Sequence, residues 1–377
     1  MSGGGPVVDA TPVEIRVAMA GTPAWLLGFG RERATEWTVA TDRGVAATYR
    51  VRAESGVAER VADHGSVALP PPVYRAGGTP AVVAPPPDAA AHTHPVLAGD
   101  AAVYVADGGD VVIRGPKTGA ETARAAVGAP PDARPIALGD GRYVVYGGRT
   151  DRYRHRALGD AVEGSSLVVV DPSSERISVV ATLDAPAVFE GLYPLVADLD
   201  GDGDREIVTT VATAADGARI RIYAPDGTDL ATGPVYGPGW RHQLCAAPFA
   251  PDGATELVAV RKPHVDRTLE YYRLDGGDLT IRATREGHAT HTFGSRNVDG
   301  ALGGDVDGDG RPELLVPTTD RTVLSAVRRV AGGTELVGSL RLGARLTTNV
   351  VGVRTSGQVA VGAGTADGVR VWAASNR

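Results

Sequence analysis

The chain reads as short apolar runs set between turns rich in glycine, proline and aspartate. Ile207-Val-Thr-Thr-Val211, Leu257-Val-Ala-Val260 and Leu314-Leu-Val316 are β-branched or apolar throughout, and the last is stopped by Pro317. Such runs favour strands, and stretches with helical spacing and helix caps are almost absent. The pattern predicts an all-β protein.

One strand-turn-strand unit recurs along it. Shorter copies lie at Val17-Ala-Met-Ala-Gly21-Thr-Pro-Ala-Trp25-Leu-Leu, Pro95-Val-Leu-Ala-Gly-Asp100-Ala-Ala-Val-Tyr104, Pro135-Ile-Ala-Leu-Gly-Asp140-Gly-Arg-Tyr143-Val-Val-Tyr146 and Val350-Val-Gly-Val-Arg-Thr-Ser356-Gly-Gln-Val359. Three more surround Asp202, Asp252 and Asp309. Successive turns are 40 to 62 residues apart from Asp100 to Ser356, which is the length of a β-propeller blade. That gives seven units in one domain over residues 1–377, which the family resemblance carried by two of the turns, given below, makes seven four-stranded antiparallel blades. The 79 residues from Gly21 to Asp100 leave room for an insertion at about 60–90, including Pro70 to Pro87, or for an eighth blade; six is the count if the weakest copy is dropped.

A propeller must pair its first and last blades, because an open sheet edge invites association. After Ser356 two strands are expected, at 358–363 and 369–374, so the last blade lacks its fourth. Residues 6–11, ahead of a first inner strand at 13–19, are the expected donor.

Two of the turns carry chemistry. Asp198-Leu-Asp200-Gly-Asp202-Gly-Asp204-Arg-Glu206 and Asp305-Val-Asp307-Gly-Asp309-Gly-Arg311-Pro-Glu313 place carboxylates at positions 1, 3, 5 and 9, with glycines that permit the positive φ of a tight turn. A helix-loop-helix calcium motif shares this opening but needs glutamate at position 12, where Thr209 and Val316 stand, and strands follow rather than helices. Pro248-Phe-Ala250-Pro-Asp252-Gly-Ala-Thr-Glu256 keeps positions 5 and 9 alone and is expected to hold no metal.

The two complete loops resemble the FG-GAP or VCBS repeat, the blade unit of integrin-α-like β-propellers, whose D-x-D-G-D-G-x-x-[DE] calcium loop joins the first two strands of a blade. The resemblance implies two Ca²⁺ sites. Asp198, Asp200, Asp202 and Glu206 would ligate by side chain in the first with the backbone oxygen of Asp204; Asp305, Asp307, Asp309 and Glu313 would do so in the second with that of Arg311. Clustered carboxylates repel, and a divalent ion turns the repulsion into a clamp between strands.

Composition sets limits. A formal net charge of -7 without a local basic patch argues against nucleic acid. Cys245 is the sole cysteine, so an intrachain disulfide and a cysteine zinc cage are ruled out. No run reaches the roughly 18 apolar residues of a membrane helix. Loops of this kind suit the calcium level outside cells, so an extracellular or cell-surface setting is expected; the first residues lack a signal-peptide pattern, which leaves the cytoplasm as the other setting. A monomer is expected.

In a propeller the segments entering the inner strands gather at one face of the channel, and the calcium loops lie on the other. The entering segments include His92 and His94, Glu190 and Tyr193, Trp240, Arg241 and His242, His288 and His291, and Arg345. Five of the eight histidines thus fall at corresponding places in three blades. Tyr153-Arg154-His155-Arg156 is expected to be a solvated loop, and His64 and His264 surface residues.

Two functions follow, beside a purely structural role. One is a calcium-stabilised binding or scaffold module taking a ligand, protein or glycan at the channel mouth. The other is a sugar-active enzyme similar to rhamnogalacturonan lyases, with His92, His94, Arg241, His242, His288, His291 and Arg345 as the candidate set. G-x-S-x-G, P-loop and H-E-x-x-H motifs are absent, which favours the first.

Overall fold

The computed structural model describes residues 6–8, 10–67, 73–74, 82–98, 101–115, 119–355 and 358–374. Apart from one short 3₁₀ turn at Ala53–Ser55, its regular elements are strands. They form antiparallel meanders of four, each strand pairing with the next along the chain.

In chain order the meanders are Pro23–Gly30, Thr35–Thr41, Val45–Arg52 and Val57–Ser66; Val96–Ala98, Ala101–Val105, Val111–Arg114 and Glu121–Ala125; then Ile136–Ala137, Tyr143–Gly147, Ser166–Asp171 and Arg176–Thr182. Next come Leu195–Ala197, Glu206–Thr213, Gly217–Tyr223 and Asp229–Thr232, followed by Arg241–Ala247, Glu256–Arg261, Thr268–Asp275 and Asp278–Glu286. A single parallel bridge, Thr232 to Asp278, joins these two into a nine-stranded sheet that also includes Val188–Phe189. Leu302–Gly304, Glu313–Pro317, Val323–Val330 and Gly333–Arg341 make the next meander.

The last sheet closes the chain on itself. Val351–Thr355, Gln358–Thr365 and Gly368–Ala373 take their fourth strand from Val13–Ile15, with Val13 opposite Val371 and Ile15 opposite Val369. The donor is thus displaced from the expected 6–11, and the first inner strand is Pro23–Gly30 rather than 13–19. Pro6–Val8 does other work. The amides of Val7 and Val8 both donate to the Val306 carbonyl, at 2.7 and 3.2 Å, so the segment packs on the loop that begins at Asp305.

Burial explains the apolar runs. The large hydrophobic clusters lie between successive meanders, as in Leu199, Val208 and Ile222 against Leu257, Ala259 and Tyr272, or Val258, Leu269 and Tyr271 against Leu314, Val316 and Val327. Middle strands such as Glu256–Arg261 are therefore covered on both faces and read as continuous apolar sequence. Fourth strands, such as Asp278–Glu286, meet water and alternate. Sheets packed face to face in a closed series make the fold a β-propeller.

Several expectations fall outside the described residues: the turns at Gly99-Asp100 and Ser356-Gly357, Asp9 of the expected donor, and most of Pro70 to Pro87. Within the last, Val73–Tyr74 pairs with Val82–Val83.

The closing seam has a tight fit. The indole of Trp37, buried in the first meander, fills the space left by Gly28 beside it and Gly362 across the seam; a β-carbon on Gly362 would lie 2.3 Å from Trp37 Cζ3. Gly362→Ala is therefore expected to lower stability by about 1–3 kcal/mol. Gly333→Ala, where a β-carbon meets no atom within 4 Å, should change it by less than about 0.5 kcal/mol. Urea unfolding of both variants checks the difference.

Candidate metal centre and channel face

Each acidic loop joins the first two strands of its meander. In the first loop Asp198 Oδ1 accepts the Gly201 amide at 2.7 Å, Asp200 Oδ1 that of Asp202 at 3.1 Å, and Asp202 Oδ1 that of Asp204 at 2.8 Å. These bonds wind the backbone so that the carboxylates face inward, and Gly201 and Gly203 take φ of 82° and 95°, which glycine adopts without strain. Glu206 arrives from the start of the second strand, with Oε2 held 2.7 Å from the Leu199 amide.

One oxygen from each of Asp198, Asp200 and Glu206 falls within 4.8 Å of the others. Two ionised carboxylates at that distance repel by up to about 3 kcal/mol at an effective dielectric near 20. Burial, joined by Asp200, Asp198 and Asp202, pushes Glu206 up to about 6. Among the described residues, no arginine, lysine or histidine pairs with these carboxylates. Hard oxygens, converging, with uncompensated charge, are a donor set that fits Ca²⁺.

The second loop repeats the winding. Asp305 Oδ1 accepts the Gly308 amide, Asp307 Oδ1 that of Asp309, Asp309 Oδ1 that of Arg311, and Glu313 Oε2 that of Val306. Asp305, Asp307 and Glu313 also converge within 4.8 Å. Here, however, the guanidinium of Arg328 lies against Asp307, 3.0 Å from Asp309 Oδ2 and 2.8 Å from Glu313 Oε1. The loops are not equivalent.

At the other face, segments from every meander meet. The proline that opens three consecutive inner strands follows His94, Arg134 and Tyr193, each held in the extended backbone that the residue before a proline favours. Arg134 lies 5.0 Å over the Tyr193 ring and 5.8 Å over that of Trp25, which meets His94 edge-on. Residues 287–301 cross this space. Asp299 accepts from Arg134 Nη1 at 2.7 Å and from the Tyr193 hydroxyl, while Arg296 reaches Asp132 at 2.8 Å and Asp160 at 2.5 Å. Asn297 donates to the Ala24 carbonyl at 3.1 Å.

The rim histidines do not form one centre. His242 and His291 come together through Thr290, whose hydroxyl lies 2.9 and 2.8 Å from their Nδ1 atoms, and Trp240 stacks on His242 with ring centroids 4.5 Å apart. His94 sits with Trp25, His92 is exposed, and His288 is held by a backbone bridge to Thr318. Arg241 is wholly buried, with Nη1 on the Ala218 carbonyl, and Arg345 faces solvent. No cluster of three metal-ligating side chains that includes histidine occurs among the described residues.

Two residues expected at the surface belong to this face instead. His264 Nε2 lies 3.1 Å from His291 Nε2, and His155 Nδ1 lies 2.5 Å from Oε1 of the buried Glu190. Tyr153, expected in a solvated loop, is buried. With Trp240, Pro238, Pro263 and Lys262 these side chains line a cavity of about 300 Å³. The hydrogen bond to Glu190 raises His155, and burial raises Glu190. Val265 and Phe293 stand exposed beside it. Arg134, Asp299, Arg296 and, of the cavity residues, Pro238, Lys262 and Pro263 escaped the sequence reading, whereas Trp240 was expected at this face. His94-Pro95, Arg134-Pro135 and Tyr193-Pro194 carry a visible signal for the first of them.

No family model matches the chain, and none of the curated proteins matches it. Among solved structures it is similar to BamB from Moraxella catarrhalis, with TM-score 0.47, 12% identity, and coverage of 98% of this chain and 99% of that one. It is similar also to the Myceliophteria thermophila Cps50 (Swd1) beta-propeller domain, with TM-score 0.49, 10% identity, and coverage of 94% and 98%.

Burial holds His242 down at about 3 and His291 at about 2, whereas in the unfolded chain both titrate near 6.5. The folded values are the lower ones, so the neutral imidazoles contribute stability that is complete above about pH 6.5 and is lost as pH falls toward the folded values, by up to about 1.4 kcal/mol per pH unit for each. Buried Glu163 and Glu190, raised by burial, act in the opposite direction, so the difference between variants is the measurement. Urea unfolding from pH 7 to 5 should show a shallower decline in His242→Gln than in the parent; equal slopes would mean that His242 titrates in the fold as it does in the unfolded chain.

Proposed function

We propose that the chain is a seven-bladed propeller of the FG-GAP or VCBS type, stiffened by Ca²⁺ at Asp198, Asp200, Asp202 and Glu206, and that it acts as a binding module through its channel-mouth face. The observation that carries the calcium reading is the convergence of three carboxylates, one of them buried, with no basic side chain among the described residues paired to them. Bound there, the ion would neutralise the repulsion and tie the first strand of this blade to the second. Its role is structural.

The binding reading rests on the cavity beside Trp240, whose walls are mostly aromatic and proline side chains with a few polar groups, the usual composition of a ligand site. The polysaccharide-lyase reading needs a base next to arginines free to take a uronate carboxylate. Arg241 is enclosed and Arg345 is exposed with no contact to the paired histidines recorded among the described residues, so no observation favours that chemistry.

Calcium at about a hundred times its Kd should stabilise the folded state by about 2.7 kcal/mol, which for this length raises Tm by about 3 °C. Asp200→Ala should abolish the rise while leaving Tm in chelator close to that of the parent. A thermal melt with and without chelator measures both, and an equal loss in the two conditions would remove the ion from the explanation.

The face is tested separately. On a glycan array, spots bound by the parent should be lost in the doubly substituted Val265→Asp, Phe293→Asp protein, provided both melt at the same temperature. Equal signal from the two would place binding elsewhere.

A further inference from the structure

Four meanders place a buried glutamate at the start of the second strand: Glu36, Glu206, Glu256 and Glu313 are 0, 3, 1 and 0% exposed. Each needs a positive partner, since an isolated carboxylate out of water is costly. Three have arginines. Glu36 is gripped by Arg31 at 2.7 Å and Arg50 at 2.7 Å, Glu256 by Arg329 of the following meander at 2.8 Å, and Glu313 by Arg328 of its own meander at 2.8 Å.

In the two acidic loops, register decides which glutamate gets one. Leu314 lies opposite Val327, which brings Arg328 beside Glu313; Ile207 lies opposite Tyr223, which brings Ala224 beside Glu206. The third strand thus delivers a guanidinium into the second acidic loop and a methyl group beside the first. Arg328 does more than neutralise Glu313. Its Nη2 also meets Asp307 and Asp309, so one planar cation engages carboxylates that a calcium ion would need at 2.3–2.6 Å from itself.

We infer that Arg328 is the resident cation of the second loop, which takes no divalent ion, and that the chain binds a single calcium at the first. The single count rests on the calcium reading of the first loop given above; the role of Arg328 does not. The two loops, alike in sequence over nine positions, are then closed by different cations because of one residue on a strand outside the motif.

The test is a count. Full-length protein, stripped with chelator and dialysed against calcium, is assayed for bound calcium by atomic emission. One ion per chain is expected in the parent and in Asp307→Asn, none in Asp200→Asn, and two in Arg328→Ala. Two ions in the parent, or no gain in a folded Arg328→Ala, overturns the inference. Should Arg328→Ala not fold, Asp307→Asn decides, since a count below the parent's would mean that the second loop had been loaded. No ion in the parent but one in Arg328→Ala upholds the role of Arg328 and sinks the first-loop reading; none in either sinks both.

Discussion

A carboxylate held at the foot of a buried strand must have a cation, and this chain meets that demand in different ways from blade to blade. The residue recurs in four meanders, Glu36, Glu256 and Glu313 among them, while its partner changes: two arginines from the same sheet, one from the next sheet, one from across the hairpin. Each solution ties together elements that packing alone would let slide. Arg329 fastens neighbouring sheets, whereas Arg328 fastens a loop to the strand beyond it. Adjacent residues on one strand necessarily point to opposite faces, so Arg328 and Arg329 serve two different glutamates from a single segment. Glu206 is the member of the series that has no arginine partner among the described residues, and this is what separates the first acidic loop from the second.

The same economy governs the opposite face. Inner strands begin there, and their N-terminal residues would line an open channel if nothing crossed it. Residues 287–301 do cross it, and Arg134, Asp299, Tyr193 and Arg296 bind that crossing into a network that reaches Trp25, Asp132 and Asp160. Because the network joins residues far apart in sequence, it works with the Val13–Ile15 strand to hold the ring closed. The cavity of about 300 Å³ lies beside Trp240.

The strands and the acidic loops were legible because their signals are local: apolar runs between turns, carboxylates at alternate positions, glycines where φ is positive. Closure was legible as a need, but the donor lay later than 6–11, since Val13, Glu14 and Ile15 carry the buried-exposed-buried pattern that fits the edge of the last sheet, while Val7 is drawn instead to Val306. The rim was half legible. Strands of a meander run up and down, so the turn between the second and third strands returns to the face where the first began. That geometry places His155 and His264 beside Glu190 and His291, although neither lies in an entering segment.

What stayed hidden is the difference between two loops that match at almost every motif position. It depends on strand register, a non-local property: shifting the third strand by one residue would turn Arg328 away from Glu313 and aim Arg329 there instead. A motif reports the ligands a loop offers and is silent about a cation supplied from elsewhere in the sheet. Where buried carboxylates recur at one place in a repeat, the residue across the hairpin therefore carries as much information about metal binding as the loop itself. Ala224 and Arg328 are that residue in the two loops of this protein.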